Sequence, residues 1–205
     1  MTIAERSGWG VMTALSLVIA AYAFFHVATR FVHVPAEVAT NAFATPAGLH
    51  THIAASAVAL TLGPFQFLRT LRTSVPALHH WMGRTYVAAC LVGGLAGGAI
   101  ALYSSSGVIA GAGFLSLATL WLLFTGLALR AALKRDFQAH ERWMVRSFSL
   151  TFAAVTLRLY LPVGLALNHG QFELPYTIIA WISWIPNLAL AEAWLAWRRP
   201  RAARS

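Results

Sequence analysis

Three histidines and two arginines offer the first chemistry in this sequence. His79 and His80 directly precede Trp81-Met82-Gly83-Arg84-Thr85-Tyr86, and His140 lies just before Trp143-Met144-Val145-Arg146-Ser147-Phe148. Both runs read Trp-Met-x-Arg-hydroxyl-aromatic, offset by 62 residues from Trp81 to Trp143. Each also follows a basic turn, Leu68-Arg69-Thr70-Leu71-Arg72 in one copy and Leu129-Arg130-Ala131-Ala132-Leu133-Lys134 in the other. A neutral imidazole binds a metal ion or haem iron, and a helix N-terminus favours the neutral ring over the cation. Two such rings facing each other across a repeat axis suit axial haem ligation, with one of the adjacent His79 and His80 opposite His140. Arg84 and Arg146 follow on the same segments and suit haem propionates or another anion. The competing reading is that these residues only anchor helices at a lipid headgroup surface.

A second polar set lies at the other ends of the apolar segments: His26, His33, His50, His52 and His169, with Arg158. His50 and His52 are two residues apart, so on one helix they point about 200° apart and do not clamp a ligand together. A second metal or haem site would therefore pair His50 or His52 with His26, or less directly with His169. Arg158 sits within an apolar run, where a charge is costly and faces a partner, a wet cavity or the interface. Its candidate partners are a carboxylate, a quinone oxygen or a haem propionate. Glu192 reads as interfacial. Tyr22, Tyr86, Tyr103, Tyr160 and Tyr176 read as packing and belt residues rather than redox relays.

The elements that must position these groups are membrane helices. The chain has 205 residues, 59% hydrophobic and 10% charged, against about 25% charged in a soluble domain. Six apolar segments reach the roughly 20 residues that cross a bilayer: 9–31, 46–70, 76–103, 107–133, 137–165 and 174–197. The fold class expected is an all-α polytopic bundle in one integral membrane domain over 1–205, the first segment being an uncleaved helix. A duplicated helical hairpin forms its core, 46–104 and 107–165, related by a pseudo-twofold axis along the membrane normal. Thr45-Pro46, Pro76 and Asp136 mark helix starts. Gly63-Pro64 and Pro186 should bend their helices, with Gln66 and Asn187 near the freed carbonyls. Helix five should end at Pro162 to Gly164. Gly93, Gly94, Gly97 and Gly98, and then Gly107, Gly111 and Gly113, give small faces for close helix approach.

The net charge of +9 is spread over the ends of the apolar runs, which marks topology rather than nucleic-acid binding. Placing both termini in the cytoplasm puts 13 of the 15 basic residues on that side, all but Arg30 and Arg158. The single Cys90 has no partner for an internal disulfide. No HExxH, CxxC or phosphate loop is present, and carboxylates are too few for an acidic proton relay.

Two stretches carry a family resemblance. His50 with Gly63-Pro64-Phe65-Gln66-Phe67 and Leu78 to Tyr86, then His140-Glu141-Arg142-Trp143-Met144-Val145-Arg146 and Leu150 to Pro162, resemble a bacterial multi-pass membrane protein family of unknown function. The resemblance covers about residues 48–165 and implies six or seven helices in a bacterial inner membrane, with no assigned activity. A looser architectural resemblance is to transmembrane di-haem b-type cytochromes. Those carry ligands on all four core helices, and the 107–133 segment here has no histidine.

These readings converge on a b-type haem protein moving electrons from a quinol or another small redox donor. His80 or His79 with His140 would hold the inner iron, with Arg84 and Arg146 nearby. His26, His50, His52 and Arg158 would belong to the outer site. The alternative is a non-redox protein that binds or transports a divalent metal ion, an anionic lipid or a small solute. A membrane-integral enzyme with a histidine-bound metal is a third reading, disfavoured by the shortage of carboxylates.

Overall fold

The computed structural model describes residues 3–29, 46–104 and 106–198. Arg30, His33, Pro35, Glu37, Asn41 and Thr45 lie outside the described residues, as do Arg199, Arg201 and Arg204. Every regular element among the described residues is helical: α1 (Ile3–Thr29), α2 (Pro46–Leu62), a 3₁₀ turn (Pro64–Phe67), α3 (Arg69–Ser74), α4 (Pro76–Leu102), α5 (Gly107–Leu133), α6 (Phe137–Thr151), α7 (Ala153–Leu167), α8 (Glu173–Ile182) and α9 (Ile185–Trp197).

Among the described residues, five helical spans are long and apolar enough to cross a membrane: Arg6–Thr29, Pro76–Ala101, Gly107–Leu133, Phe137–Leu167 and Glu173–Trp197. α2, with 17 residues, falls below the usual crossing length. The expected 46–70 helix is broken rather than bent. Pro64 has no N–H to continue the ladder, a 3₁₀ turn follows, and Leu68 is extended before α3 begins. The Pro64 carbonyl is capped by the Trp9 indole of α1 at 3.0 Å. Gln66 does not donate to the carbonyl that Pro64 frees, that of Leu60, since its Nε2 is buried without a partner.

Two further breaks were not all legible beforehand. The Phe137–Leu167 span is interrupted at Phe152, where Val155 N–H bonds the Phe152 carbonyl in a tighter turn. Pro162 does not end the span, because α7 continues through it to Leu167. The Glu173–Trp197 span breaks at Ser183 and Trp184, with Pro186 in the first turn of α9. Asn187 donates to the Ser183 carbonyl at 3.0 Å, and the Thr156 hydroxyl donates to the same oxygen. A side chain from a neighbouring helix thus closes the gap, as expected where no water is available.

Four helices form the centre. α4 packs on α2 and on α5, and α5 packs on α6, which leaves α4 and α6 on the diagonal. α1 covers α2 and touches α7, α8 lies against α5 and α7, and α9 lies against α6. The interior is rich in small residues: among the described residues, 13 of the 24 buried apolar ones are alanine. Large apolar side chains point outward instead, among them Val108, Leu133 and Leu167. That inversion suits a lipid solvent, where close backbone approach rather than apolar burial drives helix association.

Candidate functional site

Two helix starts set the arginine-rich end. Asp136 accepts from Ala139 N–H at 3.0 Å, the cap expected for α6. His140 is the fourth helical residue, its backbone N–H closing on the Asp136 carbonyl at 2.9 Å. His79 holds the same position in α4, its N–H closing on the Val75 carbonyl at 3.2 Å. Helix starts therefore place the two histidines equivalently, although His79 precedes its tryptophan by two residues and His140 by three.

The His140 ring is fixed by Nδ1, which lies 2.9 Å from the Ala128 carbonyl of α5. A carbonyl only accepts, so Nδ1 carries the proton and Nε2 offers a lone pair. Ligating histidines are oriented in this way. Of the adjacent pair, His79 turns inward and His80 is exposed. The His79 Nδ1 is buried without a partner. His79 lies within electrostatic reach of His140 and Arg72.

Gly83 follows His79 by one turn on the same face, and a Cβ there would meet Gln66 Oε1 at 3.2 Å. Gln66 is buried and its Nε2 has no partner. Two orphaned polar atoms thus come from neighbouring elements at this end. Each unmade bond costs about 1–3 kcal/mol, so this is where a ligand or water is expected.

The arginines are placed differently from expectation. Arg84 is exposed, over the Trp81 ring at 5.6 Å. Arg146 forms a two-pronged ion pair with Glu192 of α9, one contact being Nη2 to Oε2 at 2.8 Å. Its guanidinium also lies 4.7 Å from the Trp143 ring. Arg146 is therefore already neutralised. Arg72, which is exposed, is the arginine within electrostatic reach of His79, and sequence reasoning had passed over it.

One stripe of α4 runs His79, Gly83, Tyr86, Cys90, Gly93, Gly97, and one stripe of α6 runs His140, Met144, Ser147, Thr151. Alternating steps of four and three keep each set on one helix face. Midway, the Tyr86 hydroxyl crosses the diagonal to Ser147 Oγ and Thr151 Oγ1, each at 2.9 Å. Thr125 of α5 meets Ser147 at 2.7 Å, and the Trp121 indole donates to Thr151 Oγ1 at 2.9 Å. This buried network was missed because Tyr86 read as packing. The signal was present in hydroxyls four apart at Ser147 and Thr151, facing Thr125 and Trp121. Phe148, the motif counterpart of Tyr86, packs on Phe67 with ring centroids 5.6 Å apart.

At the opposite end His52 is slotted against α4. Its Nδ1 lies 2.8 Å from the Gly93 carbonyl, and a Cβ at Gly97 would meet that nitrogen at 2.6 Å. The absent side chain at Gly97 is what admits the imidazole. Ser56, one turn along α2, has a buried hydroxyl without a partner. His26 stacks on Tyr22 with centroids 4.3 Å apart. His50 lies on α2 at a position that does not share the His52 face. His169 is exposed in the turn before α8.

Arg158 folds back along α7, Nη1 donating to the Ala154 carbonyl at 2.9 Å. That is away from Leu167, the nearer end of the Phe137–Leu167 span, so the side chain does not snorkel outward. Even the lowest scales put a central charge at about 2.5 kcal/mol or more. Tyr22, Tyr176 and His52 are within electrostatic reach of it. Among the described residues, no three histidine, cysteine or carboxylate groups gather as a metal-binding cluster.

No curated protein and no solved structure matches the chain. A family model does match, over residues 49–195, a stretch that takes in α4 to α8 and both Trp-Met-x-Arg runs. By that match the chain belongs to the family described as "Predicted membrane protein (DUF2306)".

Proposed function

We propose that this membrane protein holds a b-type haem between His79 and His140 and passes electrons through it. The observation that carries the reading is the matched placement of the two imidazoles, each at the fourth residue of its helix, on helices diagonally opposed in the core. The Ala128 carbonyl keeps the His140 proton on Nδ1, leaving Nε2 for iron. Gly83, one turn beyond His79, lets the buried Gln66 side chain approach α4, and Tyr86 lies one turn deeper, about 10 Å from His79 along the axis. Arg72, within electrostatic reach of His79, would supply positive charge for a propionate. Bound there, haem would supply one-electron chemistry. Two histidines suffice for it, whereas a divalent ion held by protein groups alone needs a larger cluster.

The same reading takes α2 as a sixth crossing and the α2–α4 and α5–α6 hairpins as duplicates. It places the protein in a bacterial inner membrane with the arginine-rich end and both termini in the cytoplasm.

Absorption spectroscopy tests the haem. Protein purified from haem-supplied cells should show a Soret band that shifts on reduction. His140→Ala and His79→Ala should each abolish the low-spin centre, and His80→Ala should retain it. A colourless wild-type protein overturns the proposal. The orphaned His79 Nδ1 and Gln66 Nε2 then favour the second reading, a non-redox site for a small polar solute or anion beside Arg72.

A further inference from the structure

We propose that Arg158, with Tyr22, Tyr176 and His52, forms the polar end of a second site that takes the anionic oxygen head of an amphipathic molecule from the bilayer. The site is independent of haem, because it lies in the other half of the bundle and uses none of its ligands.

The argument begins with charge. The sequence holds six carboxylates: Glu5, Glu37, Asp136, Glu141, Glu173 and Glu192. Asp136 caps α6, Glu141 pairs with Arg198 at 3.2 Å, and Glu192 pairs with Arg146. Glu5 is in the first turn of α1, whose Trp9 bonds Pro64 at the arginine-rich end. Glu173 is exposed at the start of α8. Among the described residues, none forms an ion pair with Arg158. Arg158 lies nine residues before the end of α7, about 14 Å along the helix, and folds back toward the start of α7, which is the middle of the Phe137–Leu167 span. One of its five N–H groups is engaged by Ala154, which leaves a charged fork suited to a carboxylate or phosphate.

The surroundings suit such a head. Tyr176 is held by ring contacts to Phe114 and Phe172, with centroids 5.2 and 4.6 Å apart. Tyr22 is exposed on α1, a helix that borders α7, so the site has a lateral opening to lipid. The Nδ1 of His52 is bound to Gly93, which leaves Nε2 for another group. A neutral carbonyl would solvate the guanidinium without cancelling its charge. An anion does both, and for that reason the charge selects a fatty carboxylate or lipid phosphate over a quinone.

The test uses full-length protein in two arms. In uncharged phosphatidylcholine nanodiscs, a fluorescent fatty acid is titrated. In parallel, native mass spectrometry measures phosphatidylglycerol retained through detergent extraction. Saturable fatty-acid binding without retained phosphatidylglycerol identifies a free carboxylate, and the reverse identifies lipid phosphate. Either way Arg158→Gln should weaken binding about tenfold or more, the scale of one charged hydrogen-bonded pair. Tyr176→Phe should weaken it severalfold while keeping the ring packing, so the test survives if the arginine variant fails to fold. Non-saturable uptake in both arms, or binding indifferent to both variants, overturns the proposal. It also falls if Glu37→Gln destabilises the protein as much as Arg158→Gln and the double variant is no worse, since the guanidinium would then have its anion within the chain.

Discussion

The hydroxyl of Tyr86 reaches across the bundle diagonal to within 2.9 Å of Ser147 Oγ, joining α4 to α6. The two helices pack through α5 more than against each other, so this contact ties together the elements that carry His79 and His140. Its environment fixes what removing it costs. Ser147 would keep Thr125, and Thr151 would keep both Trp121 and the Ser147 carbonyl. Tyr86→Phe therefore strands no partner and should cost about 1 kcal/mol, the net worth of one hydrogen bond. Thr151→Val removes the acceptor of a buried indole N–H and should cost about 2–3 kcal/mol. Unfolding in mixed detergent micelles checks the order of the two.

The glycines of α4 make a second comparison. At Gly97 an added Cβ would lie 2.6 Å from the His52 ring, whose nitrogen is held by Gly93. At Gly98 the nearest atom is 3.6 Å away, an ordinary contact. Gly97→Ala should thus force α2 and α4 apart and destabilise by about 1–3 kcal/mol, the usual cost of overpacking. Gly98→Ala should be neutral or better, since alanine is the stronger helix former. Equal thermal stability of the two variants would show that His52 is not locked in place.

Much of this architecture was readable from the chain, for identifiable reasons. Apolar length placed five spans, because the bilayer sets the length of a crossing helix, but it also offered 46–70, which the structure breaks at Pro64. Asp136 declared its own cap. The breaks were harder. Gly63-Pro64 signals a disruption, but whether the helix bends or stops depends on the Trp9 indole, a residue of another helix. Phe152 carries no breaker at all. The site divides in the same way. His140 was legible as a polar residue at a helix start, whereas the choice of His79 over His80 needed the helix phase. Arg146 misled because its partner Glu192 lies 46 residues away. Tyr86 misled because its partners belong to α6.

That ion pair makes a third prediction. Arg146 and Glu192 have side-chain exposures of 16% and 47%, so solvent screens the contact. A double-mutant cycle with Arg146→Gln and Glu192→Gln should give a coupling of about 1 kcal/mol or less, falling as salt is added. A coupling of several kcal/mol would mean that the pair is sealed from water, and that α9 is essential to the placement of α6.

Topology is the last expectation, and it tests the proposed sidedness of the haem site directly. Arg69, Arg72, Arg84, Arg130, Lys134, Arg135, Arg142, Arg146 and Arg198 all flank the same ends of α3 to α6 and α9. Lysine and arginine in short connections stay on the cytoplasmic side of a bacterial membrane. His79 and His140 open α4 and α6 at that end, so they should share it. A single cysteine introduced at Lys134, in a Cys90→Ala background, should resist an impermeant maleimide in intact cells and react once the membrane is opened. One introduced at Gly170, in the turn before α8, should react in intact cells. The background is needed although Cys90 is buried, because detergent could expose it. If the two labelling patterns are exchanged, the arginine-rich end faces outward, and the donor and acceptor sides of any electron transfer exchange with it.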